Sequence, residues 1–93
     1  MSKNIRAHAI ISGKVQGVCF RMETQRTANK YDVKGWVKNK PDRTVEAVFE
    51  GNEEDVLKTI QWCKKGPDAS RVDDVKVSFD EFRNEFLHFN ITY

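Results

Sequence analysis

The 93-residue sequence has few of the residues that mark several large classes of protein. Two cysteines, Cys19 and Cys63, are too few for a disulfide framework and lack the spacing of a metal-binding CxxC pair. Two prolines and five glycines form no linker, repeat or low-complexity segment. No apolar run approaches the roughly 20 residues that cross a bilayer. These absences predict one soluble domain over residues 1–93, with both thiols reduced.

Charge of one sign is also lacking, because 16 basic and 14 acidic residues give a net charge of +2. This balance is typical neither of a polybasic binding protein nor of an acidic tail. The basic residues are concentrated in residues 1–47, which suits an anionic ligand without requiring one. Residues 1–6 contain no apolar signal-peptide core, so we expect a cytoplasmic protein without membrane association.

Hydrophobic periodicity predicts two helices among five strands. Alternating apolar residues predict strands over 5–13, 33–39, 44–50, 75–79 and 87–93. A helical stripe predicts a first helix over 20–31, and a second helix begins after a cap at Asn52 and ends at Gly66-Pro67. The order βαββαβ plus a final strand is typical of the α+β, ferredoxin-like fold, an antiparallel sheet with two helices on one face. Because that fold has many functions, function must be inferred from the loops.

The segment Gly13–Arg21, GKVQGVCFR, connects the first strand to the first helix. Backbone N–H groups at a helix N-terminus lack intrahelical partners, and Gly17 allows a ligand to approach the backbone closely. Arg21, in the first helical turn, has a planar guanidinium that matches phosphate oxygens. The segment therefore predicts a site for phosphate or a carboxyl phosphate. A tight turn with a solvated arginine is the alternative.

Established phosphate-binding motifs do not fit this segment. Neither GxxxxGK[ST] nor GxGxxG is present, so nucleotide binding is not supported. A cysteine phosphatase loop places its nucleophile farther from its arginine, whereas only Phe20 separates Cys19 from Arg21. We expect Cys19 to pack within the protein rather than to act as a nucleophile.

Several blocks of the sequence resemble the acylphosphatase family. Residues 13–21 match the pattern GxVQGVxFR, and residues 35–39 match GWVxN. The resemblance covers residues 5–93 in the same order and spacing, and the two motifs together form a specific pair. Further matching positions are Val45-Glu46, Gly51, Trp62 and Gly66-Pro67.

The resemblance implies hydrolysis of carboxyl-phosphate anhydrides, with no metal and no cofactor. It implies that Arg21 binds the phosphate and that Asn39 holds the attacking water. The expected partner is a small-molecule acyl phosphate, and a phosphate or sulfate ion would fit the same loop. We also expect the protein to be a monomer. The substrate-binding residues, called the phosphate cradle below, are then Gln16, Gly17, Val18, Cys19, Phe20 and Arg21.

Two turn positions depart from the family pattern. Asp32, after the first helix, and Arg43, in the predicted hairpin, stand where the family commonly has glycine. A left-handed backbone at Asp32 would cost stability relative to glycine, although aspartate tolerates that conformation better than most residues. A different turn at Arg43 would affect the position of the neighbouring Asn39.

Phosphoryl transfer requires charge stabilisation and an aligned nucleophile, with little covalent work by the protein. Arg21 and the N–H groups of the phosphate cradle would supply the charge. The Asn39 amide can accept a hydrogen bond from water but is no strong base, so we expect a substrate phosphate oxygen to take the proton. A non-catalytic module that binds anions or acyl phosphates is the alternative function.

Two other interpretations have less support. Trp36, Trp62 and the basic half of the chain invite an RNA-binding interpretation, but residues 45–49 lack the aromatic pair of an RRM strand. His8 and His88 are isolated and share no ligand spacing with cysteines or carboxylates. We therefore expect neither a nucleic-acid partner nor a metal site.

Overall fold

The strands and helices follow the predicted order in the computed structural model, which describes residues 3–93. The connections between the elements are short, except for the eight residues that precede the last strand. The elements are β1 (Asn4–Lys14), α1 (Phe20–Lys30), β2 (Lys34–Asn39), β3 (Val45–Asn52), α2 (Glu53–Lys65), β4 (Arg71–Asp80) and β5 (Phe89–Thr92).

The five strands form one sheet in the order β4-β1-β3-β2-β5. β1 pairs antiparallel with β3 and β4, and β2 pairs antiparallel with β3. β5 pairs parallel with β2, so the sheet is mixed: the predicted antiparallel pairing holds among β1 to β4, and the prediction gave the final strand no direction. Residues 81–88 run along one end of the sheet, and β5 therefore enters in the same direction as β2.

The helices pack on one face of the sheet. Alternate residues of β1, including Ala7, Ala9 and Ile11, are fully buried, and so are those of β3 that face the same way. Their small and branched side chains contact Phe20 and Ala28 of α1 within one cluster of buried residues. The α2 residues of that cluster are Val56, Ile60 and Cys63. The α+β, ferredoxin-like prediction is confirmed, since both helices share this core.

The connection between β4 and β5 is held by one buried carboxylate. Glu50, whose side chain is 2% exposed, accepts hydrogen bonds from the N–H groups of Arg83 (2.7 Å) and Glu85 (3.0 Å). The guanidinium of Arg6 lies 3.4 Å from the same carboxylate. A buried charge is tolerated when hydrogen bonds and an opposite charge compensate it. Glu50 therefore anchors the segment that leads into β5.

The predicted ends of the elements differ from the observed ones mainly near the C-terminus. β5 is shorter than predicted, and Leu87, which was expected within it, is 84% exposed. β4 extends beyond its predicted range at both ends. The cap of α2 is confirmed, because the Asn52 side chain accepts from the N–H of Glu54 at 3.1 Å and Gly66 ends the helix at φ 70°.

Both turn positions that depart from glycine have left-handed backbones. Asp32 has φ 56° and Arg43 has φ 75°. The Asp32 carboxylate accepts a hydrogen bond from Lys34 at 2.8 Å, and this bond lowers its pKa, while Arg43 is exposed. A long side chain at positive φ is strained by contact of its Cβ with the backbone.

Replacing Arg43 with glycine is expected to raise the free energy of unfolding by about 1 kcal/mol, because glycine adopts positive φ without strain. Asp32→Gly should raise it less, since aspartate tolerates this conformation and the variant loses the Lys34 contact. Urea unfolding curves of the two variants and the parent protein provide the measurement. A lower unfolding midpoint for Arg43→Gly would show that the turn is not strained.

A polar network lies on the face of the sheet that carries no helix. The Glu46 carboxylate is 2.7 Å from Nε2 of His8, and Nζ of Lys38 lies 3.7 Å away on its other side. The hydrogen bond with His8 is the largest influence that lowers the pKa of Glu46 from its ordinary value near 4.5, and nearby positive charges add to it against the effect of burial.

Glu46→Gln is expected to lower the free energy of unfolding at pH 7 by about 1 kcal/mol or less. Because the folded pKa lies below the unfolded one, the Glu46 contribution is present above about pH 4.5 and is lost as the pH falls through the folded pKa. Urea unfolding at several pH values should therefore show the two proteins converging in acid. A constant difference between them at all pH values would contradict this assignment.

Candidate active site

The turn between β1 and α1 leaves a set of backbone donors unused. Gly17 (φ 74°) and Cys19 (φ 63°) both have left-handed backbones, and α1 begins directly afterwards. Within residues 3–93, no acceptor takes the N–H groups of residues 16–21, and no side chain caps α1. Free N–H groups at a helix N-terminus attract an anion through their hydrogen bonds and through the helix dipole. The phosphate cradle is therefore available to bind an anion.

Gly17 is suited to this turn for two reasons. Its positive φ is one that residues with a side chain rarely adopt, and a Cβ built on it would meet no atom within 4 Å. The space above the residue is therefore open to a ligand, and the backbone rather than crowding requires the glycine.

Arg21 is half-buried in the first turn of α1. The Tyr93 ring lies over it, with 5.0 Å from the guanidinium carbon to the ring centroid. No carboxylate in the described part of the chain lies within 4.0 Å of the guanidinium, whereas Arg6, Arg26, Arg71 and Arg83 each have an acidic partner. An aromatic face restrains a guanidinium without occupying its N–H donors. Those donors are free for an anionic ligand.

Asn39 is the last residue of β2 and pairs with Val45 across the hairpin. Its side-chain oxygen, Oδ1, is buried and has no hydrogen-bond partner among the described residues. A buried acceptor without a partner costs about 1–3 kcal/mol, and such atoms are rare in folded proteins. This oxygen is therefore an acceptor that can take a hydrogen bond from a donor outside the described residues.

Arg21 and Asn39 line the same open cavity of about 400 Å³, together with part of the phosphate cradle. The strands bring them together because β1 and β2 both end at this end of the sheet. Four further residues, Val15, Met22, Ile91 and Tyr93, lie outside the set of site residues predicted from the sequence. The full lining consists of Val15, Gly17, Cys19, Phe20, Arg21, Met22, Asn39, Ile91 and Tyr93.

Two cradle residues direct their side chains away from this cavity. Val18 packs against the hydrophobic core. The Gln16 side chain donates hydrogen bonds to the carbonyls of Lys40 (2.8 Å) and Thr44 (2.9 Å) in the β2–β3 hairpin. These two residues can therefore contribute to the site only through their backbone N–H groups.

The two thiols have different surroundings. Cys63 is fully buried, and burial raises its pKa to about 12, so it is an inert core residue. Cys19 is exposed at the start of α1, and the expectation that it packs within the protein was wrong. Its left-handed backbone turns the side chain outwards, a conformation that the sequence pattern did not reveal.

The described residues were compared with the requirements of a metal site and of a membrane-spanning helix. Within residues 3–93, no three His, Cys, Asp or Glu side chains are grouped as metal ligands. His8 instead pairs with Glu46. No helix in the same part of the chain is both long and apolar enough to span a bilayer.

Comparison with known proteins identifies the relatives of this chain. A family model described as acylphosphatase matches residues 7–91. An acylphosphatase of Pyrobaculum calidifontis is 52% identical over 88 residues, which are 94% of this chain and 80% of the relative. The crystal structure of acylphosphatase from Bacillus subtilis is 35% identical, with a TM-score of 0.92 over 96% of this chain and 99% of that one.

A larger protein contains a similar unit. The structure of full-length HypF in a phosphate- and nucleotide-bound form is 29% identical, with a TM-score of 0.85 over all of this chain and 12% of HypF. The motifs that resembled acylphosphatase in the sequence lie within the matched residues. The chain therefore belongs to the acylphosphatase family, whose enzymes hydrolyse acyl phosphates.

Proposed function

We propose that the protein hydrolyses acyl phosphates by direct attack of a water molecule, held by Asn39, on a phosphate bound by Arg21 and the phosphate cradle. The observation that carries this proposal is that Asn39, whose buried Oδ1 has no hydrogen-bond partner among the described residues, lines the same cavity as Arg21. An acceptor in that position can orient a water molecule next to a bound phosphate.

The phosphate is held by charge and by hydrogen bonds. The Arg21 guanidinium can donate to two phosphate oxygens, and the free N–H groups of residues 16–21 surround the others. Charge on these oxygens changes during transfer, and preorganised donors stabilise it without rearrangement. A similar unit in HypF belongs to a protein whose structure contains phosphate.

The water then forms a bond from its oxygen to phosphorus, and the bond from phosphorus to the acyl oxygen breaks. The carboxylate leaves with the electron pair of that bond. None of the described residues that line the cavity is Asp, Glu, His or Lys, and an amide is no strong base. A phosphate oxygen accepts the proton of the water, and the products are a carboxylate and inorganic phosphate.

Proximity and electrostatics can supply the required acceleration because a carboxylate is a good leaving group. No step of the proposed reaction uses a metal or another cofactor. The cytoplasmic location, the monomeric state and the single-domain organisation over residues 1–93 stay predictions from the sequence. The physiological acyl group is not specified by the residues that bind phosphate and water.

Arg21→Ala is expected to lower kcat by at least about 10²- to 10³-fold and to weaken inhibition by inorganic phosphate, because it removes a donor that holds the phosphate before and during the reaction. Asn39→Ala should lower kcat to a similar extent but affect phosphate inhibition much less. Hydrolysis of a small aromatic acyl phosphate in EDTA provides the measurement.

Matched controls are available on the same elements as the two residues or near them. Arg26→Ala removes an exposed arginine of α1 that pairs with Glu23, and Asn90→Ala removes an exposed asparagine of β5. Both controls should retain activity. Equal loss of phosphate binding in the Arg21 and Asn39 variants would contradict their separate roles, and loss of activity in EDTA would contradict metal-free hydrolysis.

A further inference from the structure

The Gln16 side chain links the two halves of the candidate active site. Its amide nitrogen has two hydrogens, and the two carbonyls within hydrogen-bond distance, those of Lys40 (2.8 Å) and Thr44 (2.9 Å), use both of them. Within residues 3–93, these are the only hydrogen bonds between the loop 15–19 and the hairpin 39–45.

The two carbonyls lie at the two ends of the hairpin turn. The N–H of Lys40 donates to the Thr44 carbonyl at 2.9 Å, and the N–H of Arg43 donates to the Lys40 carbonyl at 3.1 Å. Each carbonyl therefore accepts one bond from the turn itself and one from Gln16. The amide joins both ends of the turn to the loop that carries the phosphate cradle.

The position of this turn determines the position of Asn39. Asn39 directly precedes Lys40, and its side-chain oxygen has no hydrogen-bond partner among residues 3–93 that could hold it in place. The turn also contains the left-handed Arg43, which strains it. Alignment of Asn39 with a phosphate in the cradle therefore depends on contacts made by the neighbouring backbone.

We propose that the Gln16 side chain is a positioning residue, which aligns the water held by Asn39 with the bound phosphate by fixing the β2–β3 turn against the phosphate cradle. This inference rests on the proposed function. Misplacement of a reacting group by about 1 Å can cost roughly 10²-fold in rate, so two hydrogen bonds at this position affect turnover more than binding.

Loss of the Gln16 side chain is expected to change kcat and phosphate binding to different extents. The backbone N–H of Gln16 is present in every side-chain variant, and Arg21 lies on a different element. A Gln16 variant should therefore bind phosphate nearly as well as the parent protein. It should lose kcat because the water is no longer held in line with the bond that breaks.

The test is a double-mutant cycle between Gln16→Met and Asn39→Ala. Methionine has a similar length and no donor. Gln16→Met should lower kcat by up to about 10²-fold, while the inhibition constant of inorganic phosphate changes far less. In the Asn39→Ala background the same substitution should cause no further fall, since the group that it positions has been removed.

Gln25→Met is the matched control, because the Gln25 amide also donates to a carbonyl, that of Phe89, at 2.9 Å. That bond joins α1 to β5 and does not involve the hairpin. Any effect of Gln25→Met on kcat should be the same in both backgrounds. Side-chain amide NMR signals of Asn39 should shift in Gln16→Met and stay unchanged in Gln25→Met.

The proposal is overturned if the falls in kcat caused by Gln16→Met and Asn39→Ala multiply in the double variant. It is also overturned if Gln16→Met retains full activity. If Gln16→Met is unfolded, Gln16→Leu replaces it, since leucine also lacks donors and adds no charge beside the phosphate cradle. Unfolding of both variants would overturn the proposal too, because the two Gln16 hydrogen bonds would then be required for folding. Unchanged kcat in Asn39→Ala alone would contradict the proposed function instead.

Discussion

The start of α1 has backbone N–H groups that the described residues do not satisfy. Helix geometry leaves the first-turn donors without partners, and no side chain within residues 3–93 caps this helix. The left-handed Gly17 and Cys19 leave the preceding N–H groups unpaired as well. In the proposed function, a bound anion supplies the hydrogen bonds that are missing. The proposed roles of Arg21, Asn39 and the Gln16 side chain all concern that anion.

The unpaired polar groups found among the described residues lie at one end of the sheet. β1, β2 and β5 run in the same direction and all end there, next to the buried oxygen of Asn39 and the left-handed Cys19. At the opposite end, Glu50 has three donors and Asn52 caps α2. Proteins commonly accept such costs, about 1–3 kcal/mol for each group, at functional sites. This asymmetry agrees with the location of the two sequence motifs.

Much of this arrangement could be predicted from the sequence, because local patterns determine it. Alternation and capping signals predicted the order of strands and helices, and the spacing of residues 13–21 predicted an anion site at a helix start. The parallel pairing of β5 could not be predicted, since it depends on the path of residues 81–88. The same path brings the Tyr93 ring against Arg21. The hydrogen bonds from Gln16 to the hairpin depend on the direction of its side chain, and hydrophobic periodicity does not predict that direction.

Family membership favours an enzyme over the non-catalytic binding module. The central question is then which atom of the acyl phosphate the water attacks. Hydrolysis in ¹⁸O-labelled water tests this most directly, with the label located by mass spectrometry. Water held by Asn39 attacks phosphorus in our account, so the label should appear in inorganic phosphate and not in the carboxylate. Label in the carboxylate would mean attack on the carbonyl carbon and would contradict the account.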